Sequence, residues 1–371
     1  MKKKYIARLR NYISAKNSFI RQQRSKHKAK SRRRTGHHYN AKRSSTHFRD
    51  KTNWTDLIVP KTLCLETNYD ETVGLLKNLR TVALKERRPV RLVFDETKHI
   101  TASALLRVLA EIHRCRLVRG AHLVSGTYPT EEKLERMLSA MGFFEILGVR
   151  NRLSINRTHP MNYIKFASSD KLVEHQSRHL RTELLGEKIE MQNRAKMSLQ
   201  RAITEAMLNA IEHAYPKESQ KSHPGKSRWW LGGTFNRATK NLTIMFCDLG
   251  VGIPATVTKL YLIEHIRAVL SILPGFPVDD GDMIKAAMAL GRTRTGKSTR
   301  GKGLNDLKKF IDLAGEGELR IYSKKGAYIY TAGGCEQVEN HRLSIGGTLI
   351  KWRVPIANVT DWTGEEYDEI H

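Results

Sequence analysis

The sequence predicts a basic arm followed by an α/β protein, and three observations carry that prediction. Residues 1–50 hold 17 Lys and Arg against a single acid, Asp50. Helical and extended patterns alternate from about residue 55 to 150, as in a layered α/β fold. A long amphipathic helical pattern at 198–216 then precedes strand-like runs at 242–254 and 342–355. A chain of 371 residues is long enough for roughly two domains, each with its own core.

The arm comes first. The whole chain carries 65 Lys and Arg against 37 Asp and Glu, a formal net charge of +28, and residues 1–50 alone account for +16 of it. The run RQQRSKHKAKSRRR, Arg21 to Arg34, has almost nothing apolar with which to build a core. Residues 1–52 are therefore expected to be a flexible arm, disordered when alone. Its charge is a footprint for a polyanion, nucleic acid before an acidic membrane or protein surface. At the other end, 357–371 is an acidic tail bearing Asp361, Glu365, Glu366, Asp368 and Glu369. No uncharged apolar run approaches the ~20 residues of a membrane helix, so no membrane span is expected. The basic start lacks the apolar core of a secretory signal. Cys64, Cys115, Cys247 and Cys335 form no CxxC pair, which favours reduced thiols and a cytoplasmic location over a disulfide framework or zinc site.

Residues 53–150 read as a small α/β domain. KTLCLET is strand-like, YDETVGLLKNLRTVALKE helical, VRLVF a buried-type strand, SALLRVLAEIHRC a helix and AHLVSG a strand. TEEKLERMLSAMGFF closes as a helix with Thr130 as its expected N-cap. The order FDETKHITASALLRVL resembles the STAS family of anti-sigma-factor antagonists and transporter tails, in which a strand leads into a DSSGL-type turn. TASAL occupies that place here, with Thr101 for the family's Asp, Ala104 for its Gly, and Ser103 at the phosphoacceptor serine. Ser103 as a plain helix-start residue is the competing reading. Residues 151–195 read as a connector with a helical second half. HLRTEL within it echoes a histidine-kinase phosphoacceptor box but lacks the spacing and proline, which leaves His179 a solvent-facing linker residue.

The helix SLQRAITEAMLNAIEHAYP carries the chemistry. At ~100° per residue Ile203, Ala206, Met207, Ala210, Ile211 and Ala214 share one face, and Glu205, Asn209 and Glu212 a narrow arc on the other. A carboxylate and an amide at i and i+4 can stand side by side, the first suited to a water-activating base and the second to a magnesium ligand, although polar helix faces commonly carry Glu and Asn. LTIMFCDLGVGIP then runs from a strand into Asp248 and a turn with Gly250 and Gly252. An Asp at a strand end can accept a hydrogen bond from an adenine amino group.

In order, EAMLNAIEHA, DLGVGIP, GKGL and GGT resemble the GHKL ATPase superfamily of gyrase, histidine kinases, mismatch-repair ATPases and anti-sigma serine kinases. The resemblance covers 196–356 and implies a Bergerat-type α/β sandwich that binds ATP with Mg2+. It implies that Asn209 coordinates the magnesium, that Asp248 binds adenine with Thr348 beside it, and that Gly250 and Gly252 shape the base pocket. Gly301, Lys302, Gly303 and Leu304 would close over the phosphates, with Arg300 among the lid cations, and Glu205 takes the position of the activating carboxylate.

A second phosphate signature overlaps the first. Gly291 to Ser298 spells GxxxxGKS, the Walker A pattern, but a P-loop follows a buried strand and opens a helix. Gly291 follows DMIKAAMAL, helical in spacing, and Ser298 is followed by Thr-Arg-Gly. The match therefore reads as fortuitous. Three functions stay open: an ATP-driven switch acting on a partner protein or nucleic acid, an anti-sigma-type serine/threonine kinase acting on a STAS substrate, and a non-catalytic nucleic-acid-binding component, of a defence complex for instance, with a structural ATP site. A protein partner is expected, and homo-oligomerisation is left open.

Overall fold

A computed structural model describes residues 54–120, 122–153, 161–186, 189–216, 227–273, 277–290 and 303–360. The basic arm, residues 361–371 of the acidic tail and most of the GxxxxGKS–GKG stretch lie outside the described residues, which all fall within one compact unit, Thr52–His371. The chain is a mixed α/β protein built around one large sheet.

The N-terminal layer is a three-stranded parallel sheet in the order β1 (Thr55–Ile58), β3 (Val90–Val93), β5 (Val124–Gly126). A two-residue parallel pair joins β2 (Thr62–Leu63) to β4 (His99–Ile100). The helices of this layer are α1 (Tyr69–Arg80), α2 (Ala102–Arg119), α3 (Glu132–Ala140) and α4 (Phe143–Leu147). Twelve of the eighteen residues of α2 are buried, because it packs on both the small sheet and the large one. Its Ser103 is 3 % exposed in the first turn, so a kinase could not reach it without opening the fold. Thr130 is not the cap of α3: Glu131 holds that position, and the Thr130 hydroxyl instead donates to Asp95 O at 3.0 Å.

The large sheet has β12 (Glu336–Asn340), β11 (Gly326–Thr331), β10 (Glu318–Ser323), β13 (Thr348–Pro355), β9 (Asn241–Asp248) and β8 (Trp229–Asn236) in that spatial order, all antiparallel. The expected connector contributes to it. Two short strands, β6 (Met161–Tyr163) and β7 (Ala167–Ser169), lie along the outer edge of β8 before α5 (Gln176–Leu185) begins. His179 is exposed on α5.

Both faces of the large sheet are covered, which is why its central strands read as continuous apolar runs. Side chains alternate with period two. Leu242, Ile244 and Phe246 of β9 face α5, α6 (Asn193–Glu212), α9 (Asp280–Leu290) and α10 (Asp306–Ala314). Met245, Cys247 and Leu249 face the N-terminal layer. Trp229 and Trp230 divide the same way, with Trp230 Nε1 donating to His113 Nδ1 of α2 at 3.0 Å. The N-terminal layer thus shares its core with one face of the sheet. The cysteines are free, and only Cys335 is exposed. Among the described residues no helix is long and apolar enough to cross a membrane.

Candidate functional site

The site lies on the helical side of the large sheet, between α6, the ends of β9 and β13, α9 and α7 (Ile253–Leu260), with α8 (Ile263–Leu270) packed on α9. A cavity there, partly open to solvent, is lined by Glu205, Asn209, Asp248, Gly252, Leu304 and Thr348. These come from four separated segments of the chain. Apolar side chains complete the wall, among them Phe246, Ile253, Val257, Ala287, Leu290 and Ile350.

Each polar group is held by its own element. On α6 the Asn209 Nδ2 donates to Glu205 Oε1 at 3.0 Å across one turn. Burial raises the pKa of Glu205; the Asn209 hydrogen bond opposes this, and the charges of Asp306 and Glu212 add to it. Glu212, placed on the same arc by the sequence, does not line the cavity and is exposed beside His213. Asp248 ends β9 and is 6 % exposed. Gly250 N–H donates to its Oδ1 at 2.8 Å, and Thr348, its register partner on β13, reaches the same carboxylate. Burial pushes the Asp248 carboxyl up to about 6, against the pull of the Gly250 N–H, the Arg107 guanidinium and Thr348.

The two glycines do different things. A Cβ on Gly250 would lie 2.1 Å from Ala214 O, so Gly250 lets the turn press against the C-terminal end of α6 and does not itself line the cavity. Gly252 does line it, at φ +84, a conformation that favours glycine. Leu304 lines the cavity from the short 3-10 turn Gly303–Asn305 that leads into α10. Arg300, Gly301 and Lys302 lie outside the described residues, as does Gly291–Ser298, although the element before Gly291 is the helix α9 and not a strand.

Several contributors were not read from the sequence. Phe246 and Ile350 sit two residues from Asp248 and Thr348 on the same strands, and period-two alternation points to them. Ser323 carried no sequence signal. Its hydroxyl accepts from Ile253 N–H at 2.9 Å, donates to Gly347 O at 3.1 Å and meets Thr348 Oγ1 at 3.0 Å, fastening both turns of the site together. Tyr215 Oη likewise accepts from Leu249 N–H at 2.8 Å and donates to Arg228 O at 2.7 Å. No family model matches the chain, and no curated protein matches it.

Proposed function

We propose that this cavity binds ATP with Mg2+ in the manner of the GHKL superfamily, with the N-terminal layer as a STAS-like partner, and that the chain is a nucleotide-dependent switch. The observation that carries the reading is the convergence of Glu205, Asn209, Asp248, Gly252, Leu304 and Thr348 on one cavity. The donor set fits the ligand. A mostly apolar cavity with one buried carboxylate in its lining suits a flat base that offers an amino group. Magnesium held mainly by phosphates and water needs only one or two protein oxygens. The Asn209 amide offers one, since its nitrogen is engaged by Glu205.

Mg-ATP, when bound, supplies a transferable γ-phosphoryl group. The chain's own contribution is to seat the base on Asp248 and Thr348, hold the metal through Asn209, and take a proton at Glu205 from water or an acceptor hydroxyl. The direct test is calorimetric titration with Mg-ATP and Mg-GTP. Binding of ATP in clear preference to GTP supports the reading; no binding of ATP at millimolar concentration overturns it. Phosphate release without a phosphoprotein assigns a switch ATPase, and transfer of labelled γ-phosphate to protein assigns the kinase.

The buried carboxylate predicts a pH dependence. An adenine amino group donates to the ionised form of Asp248, so binding expels the proton that the carboxyl takes up below about 6. ATP affinity should fall about tenfold per pH unit below that point. Asp248→Asn should bind more weakly at pH 7 and show a flatter profile. Equal slopes in the two proteins between pH 5 and 6 would remove the assigned role. For folding of the ligand-free protein, this raised pKa means that stability from this group declines as pH climbs from 3.8 through about 6.

The arm supports a polyanion partner, since its +16 is more than half of the chain's +28. Each phosphate neutralised on duplex DNA contributes about 0.9 to the slope of log K against log salt. Deleting residues 1–50 should flatten that slope and leave ATP binding intact. An undiminished slope would exclude the arm as the binding element.

A further inference from the structure

The N-terminal layer reaches the site through one buried ion cluster. Glu111 of α2 is fully buried and accepts hydrogen bonds from Arg80 Nε at 3.3 Å, Arg80 Nη2 at 3.2 Å and Arg107 Nη1 at 3.2 Å, and also from Arg114. Burial alone would raise its pKa, but the guanidiniums of Arg114, Arg80 and Arg107 outweigh it and hold the carboxyl well below the usual range. Arg80 is 31 % exposed, but Arg107 and Arg114 are buried, so one carboxylate leaves positive charge over in the interior that needs other acceptors.

Arg107 supplies the outlet. Its side chain is fully buried, and its Nη2 leaves the cluster to donate to Ile345 O at 2.8 Å and Gly346 O at 2.6 Å. Those carbonyls belong to the turn that delivers Thr348. In that turn Gly346 and Gly347 have φ +72 and +104. A Cβ on Gly347 would lie 2.2 Å from Asp248 O, and one on Gly346 would lie 2.7 Å from Arg80 Nη2. The turn is therefore clasped between the guanidiniums of the N-terminal layer and the strand end that bears Asp248.

We propose that Arg107 is a positioning residue of the nucleotide site: from the N-terminal layer it sets the Ile345–Thr348 turn and the charge environment of Asp248, so that the pocket is complete only with both halves of the chain docked. The inference rests on reading the cavity as an adenine site and goes beyond it by making the N-terminal layer part of that site. The charged and titratable groups around Asp248 are Arg107 from α2, Tyr215 after α6 and Cys247 beside it on β9, while Glu205 of α6, His213 just after it and Tyr261 just after α7 line the same cavity. Burial raises the Tyr215 phenol and pushes the Cys247 thiol up to about 12, so both stay neutral between pH 5 and 8. Arg107 is the cation that acts on Asp248.

The test compares full-length wild type with Arg107→Lys, Arg107→Met and Arg114→Gln. An ammonium cannot span both carbonyls and Glu111, so Arg107→Lys should lose about tenfold in ATP affinity. It keeps the charge, and its pH midpoint for binding should stay near the wild-type value. Arg107→Met should lose at least as much affinity and move the midpoint to higher pH. Arg114→Gln touches the same carboxylate but not the turn, and should lower Tm while leaving affinity and midpoint alone. In nucleotide-free protein, amide exchange across residues 345–348 should quicken in both Arg107 variants and not in Arg114→Gln. Lower Tm in the Arg107 variants, with wild-type affinity, midpoint and exchange, would mean a structural role only and overturn the proposal. If Arg107→Met fails to fold, Arg107→Lys decides by the same measures. If wild type binds no ATP, the adenine reading falls, and exchange still decides whether Arg107 positions the turn.

Discussion

Asn209→Ala should lose Mg-ATP binding, whereas Lys297→Ala should weaken it only about fivefold or less. Asn209 lines the cavity, half-buried on α6, with its amide oriented by Glu205. Loss of an outer-shell metal partner already lowers metal affinity about 10–100-fold. Loss of the proposed direct ligand should exceed that. Lys297 belongs to the GxxxxGKS match, which follows the helix α9 and so lacks the strand that a P-loop needs. Lys297 is one cation among several in that stretch, with Arg292, Arg294, Arg300 and Lys302, so its removal leaves most of the local positive charge in place. Calorimetry with and without Mg2+ measures both variants. A collapse of binding in Lys297→Ala, with Asn209→Ala unaffected, would sink the assignment of the site.

Glu205→Gln should keep ATP binding and lose turnover by roughly 10²–10⁴-fold, the range of general-base contributions. Gln preserves the oxygen that accepts from Asn209, so the orientation of the Asn209 amide survives while the proposed proton acceptor is lost. Partial burial and the nearby Asp306 and Glu212 charges raise the pKa of Glu205. The wild-type rate should therefore fall on acidification sooner than an exposed glutamate would allow. Phosphate release and phosphotransfer, followed separately in wild type and variant, check the role. Equal turnover in the two proteins would leave Glu205 as a positioning partner of Asn209 and nothing more.

Much of the site was legible because it obeys local periodicities. The Glu205–Asn209 pair follows from the turn of one helix, and Asp248 from a strand that ends in a glycine-bearing turn. The same reasoning failed where a local pattern was short or polar. β6 and β7 are three residues each, half-buried, and pair only because β8 offers them an edge. β1 is equally short, with no fully buried residue in Thr55–Ile58, and is a strand because β3 pairs with it. Thr130 had the right residue type for a cap, but its hydroxyl found a better acceptor in Asp95 O, a partner distant in sequence.

The sequence by itself determined the helix face that bears Glu205 and Asn209, the strand end at Asp248, the glycine turns and the charge of the arm, since each depends on composition or on spacing along one segment. Only the tertiary structure decided that these segments meet around one cavity, that Ser323 fastens its two turns, and that Arg107 reaches from the N-terminal layer to the turn before Thr348. Arg107 and Gly346 are 239 residues apart in the chain. What joins them is the burial of a guanidinium that must find oxygen atoms wherever the packed chain presents them, and no periodicity encodes that.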